Sequence, residues 1–426
     1  MVRYHITIIV AALLLLGLAG SASAWQWHGF VDGRSGMRLH EDNGAGEQRR
    51  SILNELRAQV DLSHNADWGV WQIRSDVILD EAAGQRNADL ESGHGVIDLR
   101  EANVLFLPHD LVDVKLGRQI LTWGTGDLLF INDMFPKDWQ SFFIGRDEEY
   151  LKAPSDAVFI SLFPDFASID VVYNPRFDAD RYISGERISY WNPLLNRHAG
   201  RDDELRVDRR SRWFRDDEIS LRIYRDVAGY ELAFYGYDGF WKSPVGYDPV
   251  SARQTFPALR VLGASIRGNA GSGLFNLEAG YYDSRCDRDG DDPLIPNSEY
   301  RLLVGYEQEL MRNLSAALQY YLEYMDDYSY YQRTLPVGSV EKDRARHVLT
   351  LRLSRQAFNQ NLLLSLFTYW SPSDHDGYLR PSLKYKASDA LSIYVGANLF
   401  FGQRSDTFFG QFEDNNNLYV GIRYSL

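Results

Sequence analysis

Charged side chains in this 426-residue chain recur at alternate positions inside otherwise apolar stretches. Along 376–386, Arg380, Ser382, Lys384 and Lys386 alternate with Leu379, Pro381, Leu383 and Tyr385; along 51–63, Glu55, Arg57, Gln59 and Asp61 alternate with Leu56, Ala58, Val60 and Leu62. A period of two places each set on its own face of an extended strand. The chemistry such a face can do is electrostatic: it holds water and sorts ions and polar solutes. On the charged parity the candidate basic residues are Arg57, Arg74, Arg352, Arg380, Lys384, Lys386 and Arg423, and the candidate acidic ones are Glu231, Glu278, Glu307 and Glu323. The glutamates come from the middle of the chain and the basic residues from its two ends. In a closed wall the two signs would face each other across a lumen and set up a transverse field. The alternative is that they pair between neighbouring strands and only keep the interior wet.

Bond-making chemistry has little support. His40, His94, His198 and His375 fall between alternating segments, and no serine lies in a nucleophile-elbow motif. There is no phosphate-binding loop, no clustered set of metal ligands and no haem-attachment Cys-x-x-Cys-His, so neither catalysis nor a cofactor or metal is expected. Asp287-Arg288-Asp289-Gly290-Asp291-Asp292 has the alternating carboxylates of a calcium loop, but Glu299 stands at the wrong distance, which favours a solvated acidic loop.

The alternation requires a wall with water on one side and lipid on the other. The chain ends in such a strand: Leu418, Val420, Ile422, Tyr424 and Leu426 oppose Tyr419, Gly421, Arg423 and Ser425. A Lys or Arg facing lipid at the midplane costs about 2–4 kcal/mol and little in a wet lumen, so the charged face points inward. At the other end, Arg3 and His5 precede an apolar run from Ile6 to Leu18 and then Ala22-Ser23-Ala24, which reads as a secretory signal peptide over 1–24. That run is short for a membrane-spanning helix, and no later stretch approaches twenty apolar residues. Aromatics make up 14% of residues, with 26 tyrosines. Mean hydropathy is negative because hydrophobicity is hidden in alternation rather than in runs. The single cysteine, Cys286, excludes an internal disulfide, and a net charge of −14 argues against general nucleic-acid binding.

The expected fold is all-β, a transmembrane antiparallel barrel over 25–426 with eighteen strands, or sixteen. The segments are 25–39, 51–63, 67–80, 96–107, 110–123, 156–163, 167–174, 216–226, 228–238, 256–267, 272–284, 298–309, 312–325, 343–355, 360–370, 376–386, 389–400 and 416–426. Connections alternate between tight and long, which predicts short periplasmic turns and long extracellular loops. Segments 96–107, 256–267 and 360–370 alternate poorly, and Arg118 sits on the apolar parity; bulges or positions beyond the hydrocarbon are expected there.

Two loops stand out. Residues 124–155 form a long connection rich in aromatics and charges, expected to fold into the lumen and narrow it. Its candidate constriction residues are Asp127, Asp133, Lys137, Asp138, Arg146, Asp147, Glu148, Glu149 and Lys152, with an extracellular cap packed on its own aromatics as the alternative. Loop 175–215 gathers Arg201, Arg206, Arg209, Arg210, Arg212 and Arg215, which would capture anions, contact lipopolysaccharide phosphates, or pair with Asp202, Asp203, Glu204 and Asp208.

The run Leu116-Gly117-Arg118-Gln119, Trp123-Gly124, Asp127, Asn132-Asp133-Met134-Phe135-Pro136-Lys137-Asp138-Trp139 and Lys152-Ala153-Pro154 resembles a group of Gram-negative outer-membrane porin-like proteins. Leu99-Arg100-Glu101-Ala102 and Tyr173-Asn174-Pro175-Arg176-Phe177 fit the same pattern. To a lesser degree the Gly-Arg-Gln strand is similar to alginate-export channels. The C-terminal strand resembles the signal read by the barrel-assembly machinery, although it ends in Leu426 rather than Phe. These resemblances imply an outer-membrane channel for small hydrophilic, charged solutes, with membrane lipid and lipopolysaccharide as neighbours. The rivals are an anionic-polysaccharide exporter and a sheath around an electron-transfer partner.

Overall fold

The computed structural model describes residues 25–40, 50–80, 90, 93 and 95–426. The expected signal peptide and His94 lie outside these residues. Eighteen antiparallel strands form one closed sheet. The first seven are β1 (Trp25–Arg38), β2 (Ser51–Ala66), β3 (Gly69–Asp80), β4 (Ile97–His109), β5 (Val112–Ile120), β6 (Pro154–Leu162) and β7 (Ser168–Asn174). Between β5 and β6 lie helix α1 (Trp139–Ile144) and a 3-10 turn (Glu148–Leu151). A small hairpin, β8 (Tyr190–Asn192) and β9 (Arg197–Ala199), belongs to the next loop. The wall resumes with β10 (Glu218–Val227) and β11 (Tyr230–Phe240), pauses for the hairpin β12 (Gly246–Asp248) and β13 (Arg253–Thr255), and continues with β14 (Ala258–Ala270), β15 (Gly273–Ser284), β16 (Glu299–Met311) and β17 (Leu314–Met325). After helix α2 (Tyr328–Thr334) come β18 (Ala345–Ala357), β19 (Leu362–Ser371), β20 (Asp376–Lys386), β21 (Leu391–Gly402) and β22 (Asn417–Ser425). Each barrel strand pairs with its predecessor, and β22 closes on β1 with Arg423 opposite Asp32.

Closure removes every free sheet edge, which is what lets a β-sheet cross lipid. The outer face is apolar. On β22, Leu418, Val420, Ile422 and Tyr424 are each about half exposed, while Asn417, Tyr419 and Gly421 turn inward and are buried. Exposed aromatics rim the belt at both ends: Trp27, Trp71, Tyr306, Tyr385 and Tyr424 toward the short turns, and Tyr300, Trp370 and Phe401 toward the mouth that carries the long loops. Such rings sit at the two membrane–water interfaces.

Of the three poorly alternating segments, only the first is bulged: β4 slips register against both β3 and β5. In β14 and β19 the register runs unbroken. Their alternation is blurred for another reason. Leu259, Val261, Phe367 and Tyr369 have inward parity yet join a buried apolar cluster with Leu128, Ile131, Phe142 and Phe143 of the loop after β5. The lumen is apolar where that loop lands. Arg118 does point outward, near the mouth, and pairs with outward Asp156 of β6 at 2.8 Å.

Candidate functional site

The interior is organised by the connection between β5 and β6. Its start needs glycine: Gly124 has φ +82°, and a Cβ there would stand 3.0 Å from the Glu278 carboxylate. Its neck is a local β-like clasp in which the Asp138 N–H donates to the Leu151 carbonyl at 2.6 Å and the Ala153 N–H to that of Pro136 at 3.0 Å. Asp138 caps α1, accepting from the Ser141 N–H at 2.7 Å, and Gly145 ends it in the left-handed conformation.

From this neck the loop reaches strands around much of the wall. The Thr125 and Asn132 N–H groups each donate to Glu278 of β15 at 2.7 Å. Gln319 of β17 binds both the N–H and the carbonyl of Asp127. Asn417 of β22 donates to the Phe143 carbonyl at 3.1 Å, and Arg34 of β1 to that of Gly145 at 2.8 Å. On β2, Glu55 takes Arg146, and Gln59 donates to the Tyr150 hydroxyl at 3.2 Å. Phe142 and Phe143 pack against Tyr378, Phe400 and Phe412, so the loop's aromatics find burial against the inner wall.

The charged residues sort into three groups. The first is an interface between loop carboxylates and wall guanidinium groups. Arg352 binds Asp127 and Glu148, Arg380 reaches the other oxygen of Glu148 at 3.0 Å, and Arg423 binds Asp32, Asp147 and Glu149. Lys384 stands over the Tyr394 ring at 5.2 Å, beside Arg34 and Arg423. In the pairs with loop carboxylates the guanidinium is the covered partner: Arg380 and Arg423 side chains are 9% and 13% exposed, against 42% for Glu148 and 44% for Glu149. The face turned to open space is therefore carboxylate. Burial alone would push the Asp147 carboxyl up, but Arg423 and Arg34 hold it below the usual range.

The second group is buried and holds the loop in shape. Glu278 faces inward as its parity requires but is fully covered by loop backbone. Arg57 lies under the Tyr150 ring, paired with Glu55 and Asp76. Asp133 and Lys137 pair with each other at 3.0 Å, and Asp138 and Arg146 are likewise buried. The third group pairs away from the anchor points: Arg74 with Asp61 and Glu101, Glu231 with Arg222, and Glu323 with Arg346. Lys386 and Glu307 are exposed near the short turns, and neither makes an ion pair among the described residues.

The loop between β7 and β10 clamps the first one from above. Arg181 binds Asp98 of β4 and Asp138, and its N–H donates to the Lys137 carbonyl at 2.8 Å. Asp180 accepts from the Lys137 N–H, Ser243 and the Trp139 indole, and burial raises its carboxyl. Asp178 accepts from the Asp156 N–H at 3.0 Å and lies beside buried Glu218, which binds Lys242 at 2.6 Å. Burial, with Glu218 adding to it, pushes the Asp178 carboxyl up to about 7 despite Lys242. Of the arginines expected to meet anions, Arg210 and Arg212 bind Asp216, while Arg201 donates to the Glu186 carbonyl. In the 287–292 loop, Asp287 and Asp292 accept from the Asp291 and Leu294 N–H groups; no cluster that could hold a metal occurs among the described residues.

Asp32 and Arg34 are central to the interface and are not among the candidate site residues. Both carry a signal, inward parity on the opening strand. Arg181 carries none, since it meets Asp98 of β4 only when the loop after β7 folds back over the wall.

No protein-family model and no curated sequence matches the chain. Among solved structures it is similar to Pseudomonas aeruginosa OccK11 (OpdR), with TM-score 0.54 and 10% identity over 95% of this chain and 97% of that one. It also aligns with OmpF of Salmonella typhi at TM-score 0.46 and 10% identity, over 94% of this chain and 97% of that one. A porin of Rh. blastica follows at TM-score 0.39 and 11% identity, over 94% and 100%. At such identities the likeness is one of fold. Its closed sheet, apolar belt and aromatic rims are those of an outer-membrane β-barrel.

Proposed function

We propose that this barrel is a passive channel for small hydrophilic, charged solutes, with the 124–155 loop setting its constriction. The observation that carries this is the loop–wall interface, in which Asp127, Glu148 and Glu149 are held on Arg352, Arg380 and Arg423 with their carboxylates toward open space. A fixed lip of carboxylates backed by guanidinium groups lets a hydrated solute exchange water for either sign of charge, which favours passage of polar solutes over apolar ones.

Export of an anionic polysaccharide asks for a continuous basic lumen, and the paired signs count against it. A sheath for an electron-transfer partner asks for an interior free of an inward loop, and the many bonds between this loop and the wall count against that. Conductance in planar bilayers tests the proposal. The folded barrel should conduct, and deletion of residues within 124–155 should widen it; a folded barrel that stays closed at all voltages, with and without the loop, would exclude it.

A further inference from the structure

The outer wall is not uniformly smooth. A depression of about 500 Å³ opens on its lipid-facing side across β17 to β22. Its long side is a row of outward residues, Leu353, Leu366, Pro381, Ala397 and Leu418, one from each of β18 to β22. The cause of the depression is local. Pro381 has no N–H, and the β20–β21 ladder is interrupted between the pairs Leu379↔Leu399 and Ser382↔Gly396. Small Ala397 leaves space beside it. Ser365, Ser382 and Gly396 also line the depression although their parity is inward, so its floor is main chain.

At the end nearer the short turns, the groove is bounded by Arg355, flanked in register by Leu314 and Leu364. Arg355 has outward parity, is exposed, and makes no side-chain hydrogen bond or ion pair among the described residues. Its surroundings contrast with the other outward charges. Arg118 pairs with Asp156, Arg260 with Asp238, and Arg225 donates to the Phe166 carbonyl. An unpaired guanidinium two residues from the end of β18, above an apolar groove, stands at the height of lipid headgroups.

We infer that this groove binds a diacyl phospholipid, its phosphate on Arg355 and one acyl chain along Leu353, Leu366, Pro381 and Ala397. The guanidinium supplies a planar fork for a phosphodiester, and the bare backbone floor gives the chain a depth that flat wall does not. The inference rests on the barrel being embedded in lipid and is independent of what the lumen conducts.

Native mass spectrometry of the full barrel in detergent tests it, with dioleoylphosphatidylglycerol and dioleoylglycerol as probes and heat-modifiable electrophoretic mobility as the check on folding. The wild-type barrel should retain one phosphatidylglycerol per chain and hold dioleoylglycerol at least about tenfold less, the loss expected for a charge-assisted phosphate contact. Arg355→Gln should lower phosphatidylglycerol retention by about tenfold while leaving conductance unchanged. Ala397→Phe, which fills the groove but keeps the arginine, should abolish retention. Equal retention by wild type and Arg355→Gln, or none by the folded wild type, would overturn the inference. So would a wild-type oligomer that Ala397→Phe converts to monomer, since the groove would then be covered by a second copy of the chain.

Discussion

Arg352 of the wall and Asp127 of the loop after β5 form a two-point pair, with Nη2 donating to Oδ1 at 2.8 Å and Nε to Oδ2 at 2.5 Å. The residues are 225 positions apart. Their meeting turns a local feature, an inward arginine on β18, into an anchor for the loop.

Replacing Arg352 by Gln should leave Asp127 and one oxygen of Glu148 without a cationic partner. The K+/Cl− permeability ratio should rise, by about twofold for one uncompensated carboxylate beside an aqueous path. Reversal potentials across a salt gradient in planar bilayers measure it, and an unchanged ratio would remove this pair from the conduction path.

Glu278→Ala should free the loop at its origin. The substitution strands the half-buried Thr125 N–H and the buried Asn132 N–H, and loss of partner at a buried donor costs about 1–3 kcal/mol. Hydrogen exchange should speed up over 124–132 with the strand amides unaffected. Uniform acceleration across the barrel would instead make Glu278 a determinant of global stability.

Gly145→Ala should disturb the end of α1. Its φ is +90°, and the added Cβ would lie 2.3 Å from the Tyr419 ring. The left-handed conformation alone costs about 1–2 kcal/mol for a residue with a Cβ, and the clash adds to it. The measurable result should be noisier single-channel current and faster proteolysis of residues 139–151, in a barrel of unchanged heat-modifiable mobility.

The Asp178 carboxyl gives the second loop a pH dependence. Its ordinary value of 3.8 is raised to about 7, so folding takes up a proton. The stabilisation is complete below the ordinary value and is lost as pH rises through about 7. Protection of residues 175–217 from exchange should therefore fall as pH rises from about 4 to about 7, the span between the two values, and level off above it. Asp178→Asn should flatten that slope and leave the loop better protected at the alkaline end; a slope that survives would place the titration elsewhere.

Val420→Arg should impair insertion. Val420 is 50% exposed on the outer face, and an arginine facing lipid at mid-depth costs about 2–4 kcal/mol. Folding yields into lipid vesicles should drop, while Arg423→Leu, one face over, should leave insertion largely intact and act on the loop through Asp147 and Glu149.

The sequence by itself determined the wall. Eighteen segments, their parity and the inward direction of Arg57, Arg352, Arg380 and Arg423 all follow from a two-residue pleat between lipid and water, a constraint that acts within one strand. It also marked Asp127, Glu148 and Glu149 as residues of an aromatic loop in need of burial. Only the tertiary structure decided their partners. Which carboxylate meets Arg352, and why Glu278 is covered rather than wet, depends on closure of β22 onto β1 and on where a long loop lands inside. The inner face of β14 and β19 makes the same point: Leu259 and Phe367 blur the alternation because their environment there is the loop's aromatics and not water. Parity is set by neighbours along the chain, whereas pairing across a lumen is set by residues brought close through closure, and no local pattern encodes it.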